Sequence, residues 1–474
     1  MLLLTGTVSC ESWINIEPTD RLSEDKVFST QKGFQQALNG IYTEMNTNSV
    51  YGSNLTAGVL DVMGQYYVAD IDATYSYYYF SRYGYSYDNV KSVFSSVWSK
   101  MYSLIAGVNI IIEKCDKPNV LTKQYQDLIK GEALALRAML HFDLLRIYGP
   151  VMQVNPSADA IPYMTSADQN IQDILKADVV MEKIITDLST ASELLKGVDP
   201  IITEGVNNSS SPTGNNDFNY RQYRLNYYAV QALLARAYLW KGDKSTALNI
   251  AKDVIESTSR IFPFASQATS TGVLPDRMFS SEVIFSLYNS NRINVYQRLF
   301  APTLTAKNIL TFAGTLNAGR IPELYDTQND VRYQMWSTYS GGENELIFNK
   351  FEDVSDNSGS TDRYCYMMPL IRLSELYLIA AQCEPDLNKA TNYLNRIRNS
   401  RNCPDVSPSG AEELMTYITA EFRKEMIGEG QMFFFYKQNA MQNIPNGSAL
   451  SGNMNISLDS YVVPVPESEM DKRM

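Results

Sequence analysis

The chain is most constrained by residues 369–401, which predict two helices joined by a tight turn. Pro385-Asp386 ends the first helix and caps the second, because proline cannot continue a helix and the aspartate side chain accepts hydrogen bonds from free N–H groups. Apolar and aromatic side chains recur at helical spacing on both sides of the turn: Leu373, Leu376, Tyr377, Ala380, Ala381, Ala390, Tyr393, Leu394 and Ile397. This pattern predicts a helical hairpin of the tetratricopeptide type.

The same pattern occurs earlier, where residues 225–240 are followed by Lys241-Gly242-Asp243 and a second amphipathic segment. Two such copies predict a helical-repeat scaffold. We therefore expect a mainly α fold, a tetratricopeptide-like scaffold with long irregular insertions and a few short strands. About four helix pairs are predicted, near residues 30–115, 121–198, 225–258 and 369–401. The insertions at 50–90 and 259–368 are expected to form the ligand face.

Other landmarks follow one another along most of the chain. They are residues 34–42, 98–109, 131–149, 282–286, 371–372, 396–398, 421–425, 429–430 and 464–466. In this order they resemble the SusD/RagB family, whose members are outer-membrane lipoproteins that bind nutrients. The helix at 131–149, with Arg137 and Tyr148-Gly149, matches most closely. The chain departs from the family at Gly149-Pro150-Val151, where an Asp-x-Pro turn is usual, and at 431–436, which is more apolar; both lie on scaffold positions.

Composition and charge exclude several classes of protein. The 474 residues are 45% hydrophobic, which is ample for a large core. The formal net charge is −12, and no long basic run occurs. Nucleic acid is therefore not expected as a partner, because duplex binding requires clustered lysine and arginine. No apolar stretch reaches the roughly 18 residues of a membrane-spanning helix.

The N-terminus carries the features of an export signal. Residues 1–10 are apolar, with small residues before Cys10. We interpret them as the remnant of a secretion signal with a lipobox, Cys10 as the site of lipid attachment, and 11–474 as a single domain. The resemblance implies the same anchor, and with it a cell-surface location on the outer membrane. The alternative is a cytosolic tail with a chance cysteine.

Aromatic residues are concentrated between residues 66 and 87, which hold nine of the 32 tyrosines. In an extended segment, alternate tyrosines share one face. Such rings suit a sugar, because the ring face packs on the C–H side of a pyranose and the hydroxyl bonds the sugar's hydroxyls. We predict ligand contacts from Tyr66, Tyr67, Tyr75, Tyr77, Tyr79, Arg82 and Tyr83. The alternative is that these rings pack the segment onto the helical body or contact a protein partner.

Two further groups combine a ring with amide or guanidinium groups inside the 259–368 insertion, as ligand sites often do. They consist of Tyr288, Asn289, Asn291, Arg292 and Tyr296 in one group and Trp336, Tyr339 and Asn344 in the other. From these groups we include among the predicted ligand contacts Tyr288, Asn291, Arg292, Tyr296 and Trp336. Trp98 and Trp240 lie on predicted helices and are expected in the core.

The sequence lacks the motifs of common enzymes. No P-loop, Gly-x-Ser-x-Gly elbow or dinucleotide fingerprint is found, and no enzymatic activity, cofactor or metal site is predicted. His141, the only histidine, lies in a helix expected to be buried, so we interpret it as a packing residue. The internal cysteines lack Cys-x-x-Cys spacing and are interpreted as buried thiols. Export would permit a disulfide, which Cys383 and Cys403 could form across one helical hairpin.

The resemblance implies a function. Such proteins capture oligo- or polysaccharide at the cell surface and deliver it to a TonB-dependent, SusC-like transporter in the outer membrane. Three alternatives stay open. One is a peptide-capturing, RagB-like lid of the same fold, and another is a cytoplasmic tetratricopeptide adaptor. The last is a glycoside hydrolase, which would need a pair of carboxylates in a cleft.

Overall fold

A computed structural model describes residues 24–117, 120–168, 170–211, 216–342, 345–354 and 363–473. The helices in these ranges are α1 Glu24–Val27, α2 Gln31–Met45, α3 Val59–Met63, α4 Tyr78–Ser81, α5 Asp88–Cys115, α6 Lys123–Tyr148, α7 Ala177–Lys196, α8 Ile201–Glu204, α9 Tyr227–Lys241, α10 Lys244–Thr258, α11 Gln267–Ser270, α12 Ile293–Leu299, α13 Arg320–Leu324, α14 Leu373–Cys383, α15 Leu387–Ser400, α16 Ala411–Glu425, α17 Met432–Gln438 and α18 Glu467–Met470. The strands are β1 Asp159–Ile161, β2 Leu175–Lys176, β3 Val283–Tyr288, β4 Phe312–Thr315, β5 Ala318–Gly319, β6 Trp336–Thr338, β7 Glu345–Phe348, β8 Met367–Arg372, β9 Asn443–Pro445 and β10 Asn453–Asn455.

Local chemistry ends and restarts the helices at the two predicted turns. Helix α9 stops at Gly242, whose φ of 92° lies in the left-handed region that glycine adopts without a Cβ penalty. Asp243 then caps α10 by accepting the Thr246 N–H at 3.0 Å. Asp386 caps α15 in the same way, accepting the Lys389 N–H at 2.9 Å. The capping residues read from the sequence therefore separate α9 from α10 and α14 from α15.

The long helices pack as neighbouring pairs. Helix α2 packs on α5, α6 on α7, α9 on α10, and α14 on α15. Contacts of α5 with α6, of α7 with α9 and of α10 with α14 join these pairs into one row. Each pair covers the apolar face of the next, as in helical-repeat proteins. The mainly helical fold is confirmed, whereas the tetratricopeptide geometry of the individual pairs stays a prediction.

Helix α6 lies between α5 and α7 in this row, and residues 131–148 are all buried. Its polar groups are paired: Arg137 makes two hydrogen bonds of 2.7 Å to the Asp187 carboxylate. The His141 Nε2 accepts the Met164 N–H at 3.0 Å, so its Nδ1–H donates to the Arg137 carbonyl at 2.8 Å. His141 is thus a fully hydrogen-bonded packing residue, as interpreted from the sequence.

The 259–368 insertion contains most of the sheet structure. Strands β3 and β8 pair antiparallel, and the four-stranded sheet has the order β5-β4-β7-β6. Trp98 and Trp240 are both buried in the core, as expected.

A network of buried charges ties the β3–β8 pair to α16. Glu425 accepts hydrogen bonds from Arg332 at 2.6 Å, Arg372 at 2.8 Å and Arg401 at 2.7 Å, and Arg401 also bonds Glu282 at 2.7 Å. Burial alone raises the pKa of Glu425, but the guanidinium groups of Arg401, Arg372 and Arg332 outweigh it and hold that pKa well below its usual range. These charges stay ionised because each has several partners.

The internal cysteines are buried free thiols: Cys115, Cys365, Cys383 and Cys403. Burial raises the pKa of Cys383 to about 12, so this thiol stays protonated at neutral pH. Over the described ranges, no helix is both long and apolar enough to cross a membrane. Cys10 and the proposed signal remnant lie outside the described residues.

Candidate functional site

The tyrosine-rich segment is not extended, so the predicted alternation of its rings is wrong. After α3 the chain passes through turns, forms the short helix α4 at Tyr78–Ser81, and enters α5 at Asp88. Tyr83 adopts a left-handed φ of 56°. We attribute this conformation to the hydrogen bonds that several of the tyrosine hydroxyls donate to groups in the core of the protein.

Four of the predicted ligand contacts point into the core. Tyr66 donates to the Arg423 carbonyl at 2.8 Å and Tyr83 to the Met63 carbonyl at 2.9 Å. The Tyr67 hydroxyl donates to Asp61, and the Tyr75 hydroxyl donates to a backbone carbonyl in the 259–368 insertion. All four side chains are buried, and burial raises the pKa of each hydroxyl. They pack the segment onto the body, which corrects their assignment as ligand contacts.

The other tyrosines of this segment are at least partly exposed, as is Arg82. Leaving out Tyr85, we call this set the aromatic ridge, defined as Tyr77, Tyr78, Tyr79, Arg82 and Tyr87. Tyr79 and Tyr87 stack with ring centroids 3.6 Å apart, and Tyr78 meets Tyr79 edge-on at 5.1 Å. Tyr77, Tyr78 and Tyr79 are half-buried, while Tyr87 is 47% exposed. The Arg82 guanidinium lies 5.2 Å from the Tyr78 ring centroid. The ridge therefore combines ring surface with an exposed cation.

Polar groups border the ridge and connect it to the second insertion. Asp70 accepts two hydrogen bonds from Arg82 at 2.7 and 2.8 Å, which fixes the guanidinium. Lys307 donates to the Thr74 hydroxyl at 2.6 Å. The Asp70 carboxylate thus lies beside Arg82, and the Lys307–Thr74 bond joins the same segment to the 259–368 insertion. Groups of these kinds are donors and acceptors that can bond sugar hydroxyls.

The group around Trp336 is buried, and this corrects its assignment too. The Trp336 ring lies 4.6 Å from Phe312 and 4.7 Å from Phe348, and its indole N–H donates to the Tyr325 hydroxyl at 3.2 Å. Tyr339 is also buried. Trp336 belongs to the main core, whereas Tyr339 packs with Ile309 and Ile347 in a separate small cluster, and neither ring is accessible to a ligand. Asn344 lies outside the described residues.

The group around Tyr288 is divided between core and surface. Arg292 is buried and Tyr296 half-buried, whereas Asn291 is exposed. Burial lowers the pKa of Arg292, whose side chain is not presented to solvent. Tyr288 is 51% exposed and contacts the rings of Tyr223 and Tyr366, which the sequence analysis missed. No local signal indicates these partners, because the three rings come from separate segments.

Over the described ranges, no three histidine, cysteine, aspartate or glutamate side chains come close enough to hold a metal ion. The site consists of rings, amides and hydroxyls on the surface of a helical body. The fold and this surface together define a class of protein in which a scaffold of packed helices carries long irregular insertions.

Comparison with known proteins identifies the family. The SusD-like model, described as "Starch-binding associating with outer membrane", matches residues 13–203, and the SusD_RagB model, described as "SusD family", matches residues 332–473. The chain belongs to the SusD/RagB family.

Individual relatives agree with this assignment. SusD-like protein P2 of Formosa agariphila is 22% identical over 99% of this chain and 96% of its own length. SusD-like protein P25 of the same organism is 20% identical over 84% of this chain and 80% of its own. A SusD superfamily structure from Bacteroides thetaiotaomicron matches with a TM-score of 0.70 and 23% identity, covering 93% of this chain and 98% of that one. A putative sugar binding protein from Bacteroides vulgatus matches with a TM-score of 0.67 and 24% identity, covering 94% of this chain and 96% of that one. At these identities the structures show a shared fold.

Proposed function

We propose that this protein is a non-catalytic, cell-surface lipoprotein that binds oligo- or polysaccharide and delivers it to a TonB-dependent, SusC-like transporter. The observation that carries the proposal is the aromatic ridge, where the Tyr79 and Tyr87 rings stack and Tyr78 and Arg82 extend the surface. The description of the SusD-like family as starch-binding and outer-membrane-associated supports it. So does the name of the Bacteroides vulgatus relative, a putative sugar binding protein.

The shape of the ridge suits capture followed by release. A shallow surface contacts only part of a glycan, so each contact contributes modestly to affinity, and a polymer gains further through repeated binding. Arg82 and the polar groups beside the rings would bond sugar hydroxyls and set the orientation of the chain. Modest affinity keeps dissociation fast enough for transfer to a transporter.

The anchor and the partner complete the proposal. Lipid on Cys10 would tether residues 11–474, as a single domain, to the outer membrane without spanning it. Replacement by Cys10→Ala should then move the protein from the membrane fraction to the soluble fraction. A SusC-like transporter should co-purify with the acylated protein from detergent-solubilised membranes. Recovery of other proteins alone would contradict the transporter assignment.

Affinity electrophoresis tests the binding function. The protein would run in gels containing starch, xylan, galactomannan, laminarin or pectin, beside the ridge variant Tyr79→Ala/Tyr87→Ala. The matched control is Tyr417→Ala, which removes a half-buried ring of α16 outside the ridge. We expect one class of polysaccharide to retard the protein and the control, but not the ridge variant.

Other outcomes would redirect the proposal. Retardation that survives in the ridge variant would remove the ridge as the site while keeping the glycan function. Binding to peptides, with no retardation by any polysaccharide, would favour the peptide-capturing lid of the same fold. Release of reducing sugar from any of the polymers would revive the hydrolase.

A further inference from the structure

A second surface, made of residues that the aromatic ridge does not share, lies beside Tyr288. It is an open cleft of about 730 Å³ between α2, residues 216–224, the end of β3 and Tyr366, which directly precedes β8. Its volume lies within the range of small-molecule sites. Among the described residues, five tyrosines, four asparagines and one each of glutamine, threonine, aspartate and arginine line it. None of these thirteen side chains is aliphatic, so each offers a ring or a hydrogen-bonding group.

Tyr288 is the most prominent ring of the cleft, and its neighbours hold it in place. The buried Tyr223 meets it edge-on, with ring centroids 5.4 Å apart and an interplanar angle of 81°. Tyr366 packs on it at 5.2 Å. The Asn46 side-chain amide donates to the Tyr288 carbonyl at 3.0 Å, which fixes the backbone beneath the ring. A half-exposed ring held in this way loses little freedom when a ligand stacks on it.

One wall of the cleft is a stripe of polar side chains on α2 and its C-terminal cap. Asn39, Thr43 and Asn46 are spaced by four and three residues, so they lie on one face of the helix. The Arg224 guanidinium bonds the Asn39 side-chain carbonyl and lies 4.8 Å from the Tyr42 ring centroid. This contact orients the Asn39 amide. Amides and a hydroxyl at successive turns of a helix present the donors and acceptors that a row of sugar hydroxyls requires.

The charge of the cleft restricts the ligand class. Asp217 and Arg224 are its only charged lining side chains among the described residues, and their charges cancel. A lining without aliphatic groups disfavours an apolar ligand, and a lining without net charge disfavours a strongly charged one. A neutral, hydroxyl-rich molecule with an apolar C–H face satisfies both conditions.

We propose that this cleft is a second binding site, which takes a short, neutral pyranose oligosaccharide stacked on Tyr288 and hydrogen-bonded along α2. The site extends the proposed carbohydrate function but does not depend on the aromatic ridge. Two sites on one chain would increase the retention of a polymer that reaches both, because the second binding event becomes intramolecular.

Titration of the full chain with neutral hexasaccharides tests the cleft. The probes are maltohexaose, cellohexaose, xylohexaose, mannohexaose and laminarihexaose, and binding is measured by calorimetry and saturation-transfer NMR. For at least one probe, Tyr288→Ala should weaken binding by about tenfold or more, since it removes the stacking surface. Tyr288→Phe keeps the ring and should retain most of the affinity. The ridge variant Tyr79→Ala/Tyr87→Ala should leave this binding event unchanged.

A thermal unfolding transition measured for each variant shows whether it folds. We expect Tyr288→Ala to fold, because the Tyr288 side chain is half-exposed. Hexasaccharide binding that Tyr288→Ala leaves intact and the ridge variant abolishes would overturn the cleft and keep the glycan function. Failure of every probe to bind the wild-type chain at millimolar concentration would overturn both. Binding of uncharged tripeptides, lost in Tyr288→Ala while no hexasaccharide binds there, would assign the cleft to peptide and reject the saccharide.

Discussion

His141 should make the folded protein lose stability as the pH falls from 6.5 to 5. Burial lowers the pKa of His141 from 6.5 to about 3, because a charged imidazole would lose its hydration there; the Arg137 charge lowers this pKa further, and together they outweigh the hydrogen bond to the Arg137 carbonyl, which raises it. Below pH 6.5 the imidazole of His141 is therefore protonated in the unfolded chain but stays neutral in the folded chain. Stability rises with pH wherever the unfolded state binds more protons, so it falls on acidification through this range.

The size of the effect follows from the two pKa values. The free energy of unfolding changes by roughly 1.4 kcal/mol per pH unit between the unfolded pKa and the folded one. From pH 6.5 to pH 5, this imidazole alone should lower the free energy of unfolding by about 2 kcal/mol. His141 is the only histidine, so no other imidazole contributes to the change.

Comparison with His141→Gln isolates the effect. The glutamine amide can accept the Met164 N–H and donate to the Arg137 carbonyl, as the imidazole does, but it does not titrate. Urea unfolding at pH 7, 6 and 5 gives the free energy of unfolding for both proteins. The advantage of the wild type over the variant should shrink by about 2 kcal/mol between pH 7 and pH 5. A constant difference over this range would refute the reasoning.

Three further substitutions test the core. Glu425→Gln removes one negative charge from the network with Arg332, Arg372 and Arg401 and should lower the free energy of unfolding in urea by about 3–5 kcal/mol. The control Glu412→Gln changes an exposed residue of the same helix and should have little effect. Equal effects of the two substitutions would contradict the network. Trp336→Ala should lower the free energy of unfolding by roughly 3–5 kcal/mol in the same assay and leave the glycan affinity of the folded protein intact. A loss of glycan affinity without a loss of stability would instead assign Trp336 to the binding site. Lys437→Met should lower the free energy of unfolding by roughly 1–3 kcal/mol, because the Lys437 side-chain nitrogen donates hydrogen bonds to the Arg146 and Gly149 carbonyls at the end of α6. An unchanged melting temperature would contradict that role.

The helical framework could be predicted from the sequence because its determinants are local. The cap at Asp386 and the glycine before Asp243 act on neighbouring residues, and the apolar spacing of each helix indicates its buried face. His141 was also interpreted correctly, since Leu140 and Phe142 flank it in a helix that the sequence predicts to be buried.

The site could be predicted only in part, because burial depends on partners far along the chain. Tyr66 is buried because its hydroxyl reaches the carbonyl of Arg423, and Trp336 is buried because β6 pairs with β7 in a small sheet. No local pattern distinguishes these rings from Tyr79, which stays on the surface. The ring partners of Tyr288 were missed for the same reason, because Tyr223 and Tyr366 approach it only in the folded chain.

The central claim is that a glycan binds on the aromatic ridge, and a crystal structure with the bound glycan tests it most directly. The ligand would be an oligosaccharide of the polymer that retards the protein in affinity electrophoresis. We predict a pyranose ring against the exposed surface of Tyr78, Tyr79 or Tyr87, with sugar hydroxyls bonded to Arg82. A sugar bound elsewhere, with all of these side chains still in contact with solvent, would contradict the claim.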